Sequence, residues 1–163
     1  MSDIEKFFAW VDKWFYNLFN RATITTMNEE PTPQPIEPSP VVATPVNRFL
    51  EFCGFIKPYE GANPANNNPY NFKYFRGGYL PKYGVVKCSV GGFAMFSTLA
   101  LGEEYGEASI MEMIMNHPEW SFLDFFSVFA PPSDNNNTEL YASTIAAEMG
   151  VASSANLKTT LKL

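Results

Sequence analysis

The chain has 163 residues and a formal net charge of −6, and hydrophobic side chains make up 46% of it. This length and apolar content allow one domain with a buried core and additional segments. The acidic balance and the lack of a basic cluster argue against nucleic acid as a partner. Cys53 and Cys88 are not spaced as a metal site, and neither a metal nor a cofactor is expected; the two thiols either form one disulfide or remain free.

Residues 1–21 are predicted to form an isolated amphipathic helix. Ser2 and Glu5 give a capping-box pattern at its start, and apolar side chains then recur at spacings of three and four. Its mixed charges interrupt the apolar run, so it predicts neither a signal peptide nor a transmembrane span. Two interpretations stay open: the helix packs on its own domain, or it docks on another protein or on a second copy of itself.

Residues 22–46 are predicted to form an extended proline-rich linker. The prolines between positions 31 and 45 block both helix and sheet. Such a segment is a semi-rigid spacer. A helix that only completed the core of its own domain would not need so long a spacer, which favours docking of residues 1–21 on another protein.

Residues 47–151 are predicted to form a domain that is mainly α-helical with a small β insert, followed by a C-terminal tail at 152–163. The first helix contains NRFLEFCGFIK and is expected to end or kink at Pro58. Short β-prone pieces separated by glycines come next. From about residue 93 the apolar period becomes helical, and Gly102 and Gly106 are expected to break or loosen that helix.

The loop after the first helix places many amides and aromatic rings beside one carboxyl group. Residues 59–72 read YEGANPANNNPYNF, and asparagine competes with helix formation. Amides match the hydroxyl and N-acetyl groups of a sugar, and aromatic rings stack on its apolar face. Cleavage of a glycosidic bond also needs a proton donor, which Glu60 supplies if its aromatic surroundings desolvate it. The plainer alternative is that the amides close their own turns and Glu60 is solvated.

Several pieces of sequence stand in a recognisable order along the chain. They are YEG (59–61), NNNPYN (66–71), GGYLPKYGVVKC (77–88), GGFAMF (91–96), WSFLDFF (120–126), APPSDNNN (130–137) and YA (141–142). With these pieces, residues 52–151 resemble a family of phage lysozyme-like domains. Such domains occur in virions and lysis cassettes and are assigned to peptidoglycan lytic transglycosylases or muramidases.

The resemblance implies a lysozyme-like α+β fold in which Glu60 is the general acid. It also implies that the loop asparagines, Asn67, Asn68 and Asn71 among them, line the cleft and that Tyr83 lies near the substrate. The expected partners are peptidoglycan glycan strands and, through the N-terminal helix, other virion proteins. The expected location is the phage particle, acting at the bacterial cell wall during genome entry.

Three departures from the family pattern fall at the expected site, one of which is a short loop between Glu60 and Asn66. Tyr70 replaces the glycine of the family's N-P-G-N, where the backbone turn is expected to need a positive φ, and Pro58 precedes the E-G step. They fit the alternative of a non-enzymatic virion protein whose degenerate domain serves assembly or glycan binding. The insert shows no second carboxylate, which favours a lytic transglycosylase over a hydrolase with paired carboxylates. Proximity to Glu60 predicts that Asn68 and Asn71 matter more for sugar binding than Asn136.

Overall fold

The computed structural model describes residues 47–75, 81–87 and 91–163. The predicted helix at 1–21, the linker at 22–46 and Cys88 lie outside these residues. Cys53 is a buried free thiol. None of the described helices is long and apolar enough to cross a membrane.

The described part of the chain is mainly helical with a small β insert, which confirms the coarse prediction. The helices are α1 (Arg48–Glu60), α2 (Leu99–Asn116), α3 (Phe122–Phe129), α4 (Thr138–Glu148) and α5 (Leu157–Leu161). Strands β1 (Val86–Lys87) and β2 (Ala94–Met95) form a two-stranded antiparallel sheet between α1 and α2 in sequence. Val86 pairs with Met95 in its register. Short 3₁₀ turns at Pro64–Asn66, Pro81–Tyr83 and Pro132–Asp134 complete the connections.

Helix α1 carries Glu60 as its last residue. The Asn47 side chain accepts hydrogen bonds from the first turn and caps the start of the helix. Gly61 ends it in the left-handed conformation, at φ 56°. The helix does not end at Pro58 as the first alternative expected, because Pro58 lies inside the last turn, where a missing N–H removes one bond and the helix still reaches Glu60.

Helix α2 passes through both of its glycines without a break, so the expectation for Gly102 and Gly106 is also wrong. Both glycines are buried. A Cβ atom at Gly102 would lie well under 3.0 Å from the Asn67 carbonyl oxygen, and one at Gly106 would lie equally close to the Tyr70 ring. The glycines are therefore needed because the asparagine-rich loop rests directly on the helix backbone at these two points.

All five helices contribute buried side chains to the core. The Phe52 ring of α1 meets the rings of Phe122 and Phe125 edge-on, with centroids 5.7 and 5.6 Å apart. Such edge-to-face pairs add to the free energy gained by burial of the rings. Ile145 and Ala146 of α4 are buried as well.

The C-terminal residues 152–163 belong to this core, and the expectation of a tail there does not match the structure. Asn156 caps α5, and the Leu157 N–H donates to the Trp120 carbonyl at 2.9 Å. Leu157 and Leu161 are buried against the rest of the domain. Two leucines at a spacing of four on a short helix are too weak a pattern to predict packing from sequence.

The contact between the loop and α2 predicts opposite effects for two Gly→Ala substitutions. Gly106→Ala is expected to lower the free energy of unfolding by about 1–3 kcal/mol, because the new methyl group overlaps the buried Tyr70 ring. Gly54→Ala in the exposed middle of α1 meets nothing within 4 Å and is expected to raise it by about 0.5–1 kcal/mol. Urea unfolding measures both. Equal or greater stability of Gly106→Ala would show that the loop does not rest on α2.

Candidate functional site

Glu60 is held by two hydrogen bonds at the end of α1. The Tyr141 hydroxyl of α4 donates to its Oε1 at 2.7 Å. The Asn71 side-chain amide donates to its backbone carbonyl oxygen, also at 2.7 Å. The carboxyl group is half-buried. Glu60 is therefore fixed both through its side chain and through the last turn of its helix.

The surroundings of Glu60 favour its protonated form. Burial raises the pKa of the Glu60 carboxyl above its ordinary value, and the hydrogen bond from the Tyr141 hydroxyl opposes part of that rise, with a smaller lowering from the nearby Asn71 amide. A carboxylic acid that keeps its proton to higher pH than a free glutamate is suited to act as a general acid.

Glu60 lines an open cleft of about 490 Å³, within the ~300–1,000 Å³ range typical of small-molecule sites. Asn71 and Tyr141 line it beside Glu60, and Asp134 and Asn136 line it from the loop between α3 and α4. Aromatic side chains on its walls are Tyr59, Phe72, Phe75, Phe93 and Phe129. A few polar groups among aromatic walls are the combination that a sugar chain needs.

Of the three loop asparagines predicted to bind substrate, the structure brings Asn71 into this cleft and leaves Asn67 and Asn68 outside it. The Asn68 side chain is buried, and its amide donates to the carbonyls of Phe72 and Ala94 at 2.9 and 3.0 Å. The Asn67 amide donates to the Phe96 carbonyl at 3.0 Å. Both amides therefore tie the loop to β2 and the residue that follows it.

Tyr83, which the family resemblance set near the substrate, lies in the core. Its side chain is fully buried in a cluster with Ala94 and Phe96. Its ring meets the Tyr105 ring edge-on at 5.2 Å. In the described part of the chain, Tyr83 is not one of the residues that line the cleft.

The loop accommodates Tyr70 without a left-handed residue at that position. Positive φ angles occur at Asn67 (50°) and Asn71 (53°), and asparagine tolerates this conformation better than most residues. The Tyr70 ring is buried on α2, and its hydroxyl donates to Glu107 at 3.3 Å. Tyr70 therefore fits in the loop because the left-handed backbone conformations fall on neighbouring asparagines.

A group of charged side chains joins α1 to α2 beside this loop. The Lys57 ammonium lies 2.8 Å from Glu103 and 3.5 Å from Glu107. Burial raises the pKa of Glu107, and the charge of Lys57 opposes that rise. The pairing links the last turns of α1 to α2, and because these side chains are partly exposed it adds little to the free energy of unfolding.

Sequence reasoning missed Asp134, Asn136 and Tyr141 as cleft residues. They stand more than 70 positions after Glu60 in the chain, so local patterns around Glu60 cannot indicate them. The available signal was their place in the APPSDNNN and YA pieces of the family pattern. Among the described residues, no group of three or more His, Cys, Asp and Glu could hold a metal ion.

Comparison of the chain with models of protein families, with curated proteins and with solved structures finds no match.

The contrast between buried and cleft amides predicts different effects on stability. Asn68→Ala is expected to lower the free energy of unfolding by about 1–3 kcal/mol, because the buried carbonyl of Ala94 and the partly buried carbonyl of Phe72 lose their donor. Asn136→Ala at the exposed cleft is expected to change it little. Urea unfolding of both variants tests this. Similar stability of the two would show that Asn68 is not a structural residue.

Proposed function

We propose that this chain is a phage virion-associated protein that cleaves the glycan strands of peptidoglycan, with Glu60 as the general acid. The observation that carries the proposal is the half-buried carboxyl group of Glu60 on the wall of an open cleft, where Tyr141 bonds to the carboxyl group and Asn71 bonds to the backbone carbonyl of the same residue. A lysozyme-like fold is part of the proposal, and the mainly helical domain with its small β insert is compatible with it.

The meeting of distant motif pieces supports this function. Glu60, Asn71, Asp134 and Tyr141 come from four separate pieces of the phage lysozyme-like pattern, and all four line one cleft. Residues that only maintained the fold would not need to meet at an open surface. This convergence favours a site that handles a ligand.

The chemistry expected at Glu60 is proton donation to the glycosidic oxygen. Burial keeps the carboxyl protonated at higher pH than usual, so the proton is available when the bond between two sugars breaks. The aromatic walls provide faces for pyranose rings, and the amides of Asn71 and Asn136 lie where hydroxyl or N-acetyl groups can meet them.

Asp134 bears on the type of reaction. The preference for a lytic transglycosylase rested on the lack of a second carboxylate near Glu60, and Asp134 lines the same cleft. A hydrolase uses a second carboxylate to activate water or to stabilise the sugar cation, whereas a lytic transglycosylase closes an anhydro ring with the sugar's own hydroxyl. The proposal therefore includes both muramidase and lytic transglycosylase chemistry.

Mass spectrometry of the released fragments separates these two reactions, because hydrolysis adds one water and anhydro-ring formation adds none. If the fragments carry the added water, Asp134→Asn is expected to slow their release roughly 100-fold or more, through loss of the second carboxylate. If they are anhydro sugars, Asp134→Asn is expected to leave most of the activity.

Glu60→Gln tests the role of the acid directly. It is expected to abolish clearing of a peptidoglycan suspension while the melting temperature stays unchanged or rises, because the amide oxygen still accepts the Tyr141 hydrogen bond and carries no charge to bury. Glu148→Gln on the exposed side of α4 is the matched control and is expected to clear at the normal rate. Equal clearing by Glu60→Gln and the unaltered chain would remove Glu60 from the mechanism.

The alternative of a non-enzymatic virion protein predicts that the unaltered chain clears nothing, although it still binds glycan or the particle.

In either case residues 1–21 are proposed to attach the protein to other virion proteins or to a second copy. The double substitution Val11→Asp and Phe15→Asp is expected to reduce incorporation of the protein into particles, because each new charge must be desolvated in the contact. Normal copy number in particles carrying this variant would contradict the docking role.

A further inference from the structure

We infer that Tyr141 is a positioning residue for Glu60: its hydroxyl holds Oε1 and leaves Oε2 to carry the transferable proton. The hydrogen bond from the Tyr141 hydroxyl to Oε1 is 2.7 Å long. An oxygen that already accepts a short hydrogen bond is the poorer site for a proton. The use of that proton in glycan cleavage rests on the proposed function, whereas the hold on the carboxyl group does not.

The ring of Tyr141 is fixed on the molecule before any ligand binds. Its side chain is 3% exposed. The Tyr59 ring stacks on it with centroids 3.9 Å apart and planes inclined by 17°. The Phe126 ring contacts it at 4.3 Å. The two aromatic neighbours and the burial of the ring hold the Tyr141 hydroxyl within hydrogen-bond distance of Glu60.

Tyr141 remains a donor over the whole pH range in which Glu60 titrates. Burial raises the pKa of its hydroxyl, and the nearby Glu60 charge raises it further. Glu60 therefore meets a protonated phenol in both of its own ionisation states. The phenol favours the carboxylate form and so opposes the effect of burial on the pKa of Glu60.

Other titratable groups share the cleft with Glu60 and have to be considered in its titration. Tyr59 is the preceding residue on α1, Tyr70 comes from the loop, and Lys73 and Asp134 line the cleft wall. The hydrogen bond to the Glu60 Oε1 comes from Tyr141. A substitution that removes only the Tyr141 hydroxyl leaves these other groups in place. A change in the titration of Glu60 in that variant is therefore due to the lost hydrogen bond.

Tyr141→Phe isolates the hydroxyl, because phenylalanine keeps the ring that Tyr59 and Phe126 contact. The Glu60 carboxyl signal is followed by carbon-13 NMR against pH and assigned with Glu60→Gln. The titration midpoint is expected to move upward by roughly one pH unit, the usual effect of one hydrogen bond to a charged group. The amide proton–nitrogen spectrum of the variant checks that the fold is unchanged.

The same substitution has a defined effect on the pH profile of cleavage. A general acid works in its protonated form, so activity falls as the pH rises through the pKa of Glu60. A raised pKa moves that fall to higher pH. At pH values below the pKa of Glu60, kcat is expected to drop several-fold because Oε1 is no longer held, while KM for the glycan stays the same.

Tyr105→Phe is the matched control. This substitution also removes a phenol hydroxyl within the domain, but Tyr105 does not line the cleft, and its ring packs behind the cleft wall against Phe72, Tyr83 and Phe96. The Glu60 titration and the pH profile are expected to be unchanged in this variant. An upward shift of the Glu60 midpoint as large as that of Tyr141→Phe would overturn the assignment to Tyr141.

A measurement on the unaltered chain gives a second test that needs no variant to fold. In protein with carbon-13 at the tyrosine Cζ position, the Tyr141 signal is expected to shift at the pH at which Glu60 titrates. No shift there, or an unchanged Glu60 midpoint in Tyr141→Phe, would overturn the inference whether or not the protein cleaves peptidoglycan. If both shifts occur and the unaltered chain cleaves nothing, the proposed function fails and the positioning by Tyr141 stands.

Discussion

The arrangement of the site depends on how closely the asparagine-rich loop approaches the backbone of α2. At Gly102 the Asn67 carbonyl, and at Gly106 the Tyr70 ring, occupy the space that a Cβ atom would fill. This contact sets the height of the loop above the helix. It therefore also sets the position of Asn71, which holds the carbonyl of Glu60. The two glycines of α2 thus make room for a loop whose Asn71 bonds to the last turn of α1.

The carboxyl group is also constrained by residues that come much later in the sequence. Tyr141 reaches it from α4, and that helix packs on α3, whose following loop brings Asp134 and Asn136 to the cleft. The ion pairs of Lys57 join α1 to Glu103 and Glu107 of α2 beside the loop. A half-buried carboxyl group with one oxygen held by a hydrogen bond is stable enough to persist in the fold and still able to hold a proton on the other oxygen.

Local patterns predicted the helical class, the small β insert and the position of Glu60 at a helix end, because these depend on neighbours in sequence. Gly102 was misjudged because helix propensity describes an isolated helix, whereas here a tertiary contact requires the missing side chain. Asn68 was expected to matter more for sugar binding than Asn136 because it lies nearer to Glu60 along the chain. The amide of Asn68 is occupied by backbone carbonyls, and Asn136 reaches the cleft from a distant loop. Residue type alone cannot distinguish these two uses of an amide.

The central claim is that glycan binds in the cleft beside Glu60. The most direct measurement is a titration of nitrogen-15-labelled Glu60→Gln protein, in which turnover is prevented, with soluble peptidoglycan oligosaccharides. The side-chain amide signals of Asn71 and Asn136 are expected to shift with increasing ligand, and those of Asn67 and Asn68 to stay in place. Shifts confined to Asn67 and Asn68, or no shift at Asn71 and Asn136 at saturating ligand, would contradict the account.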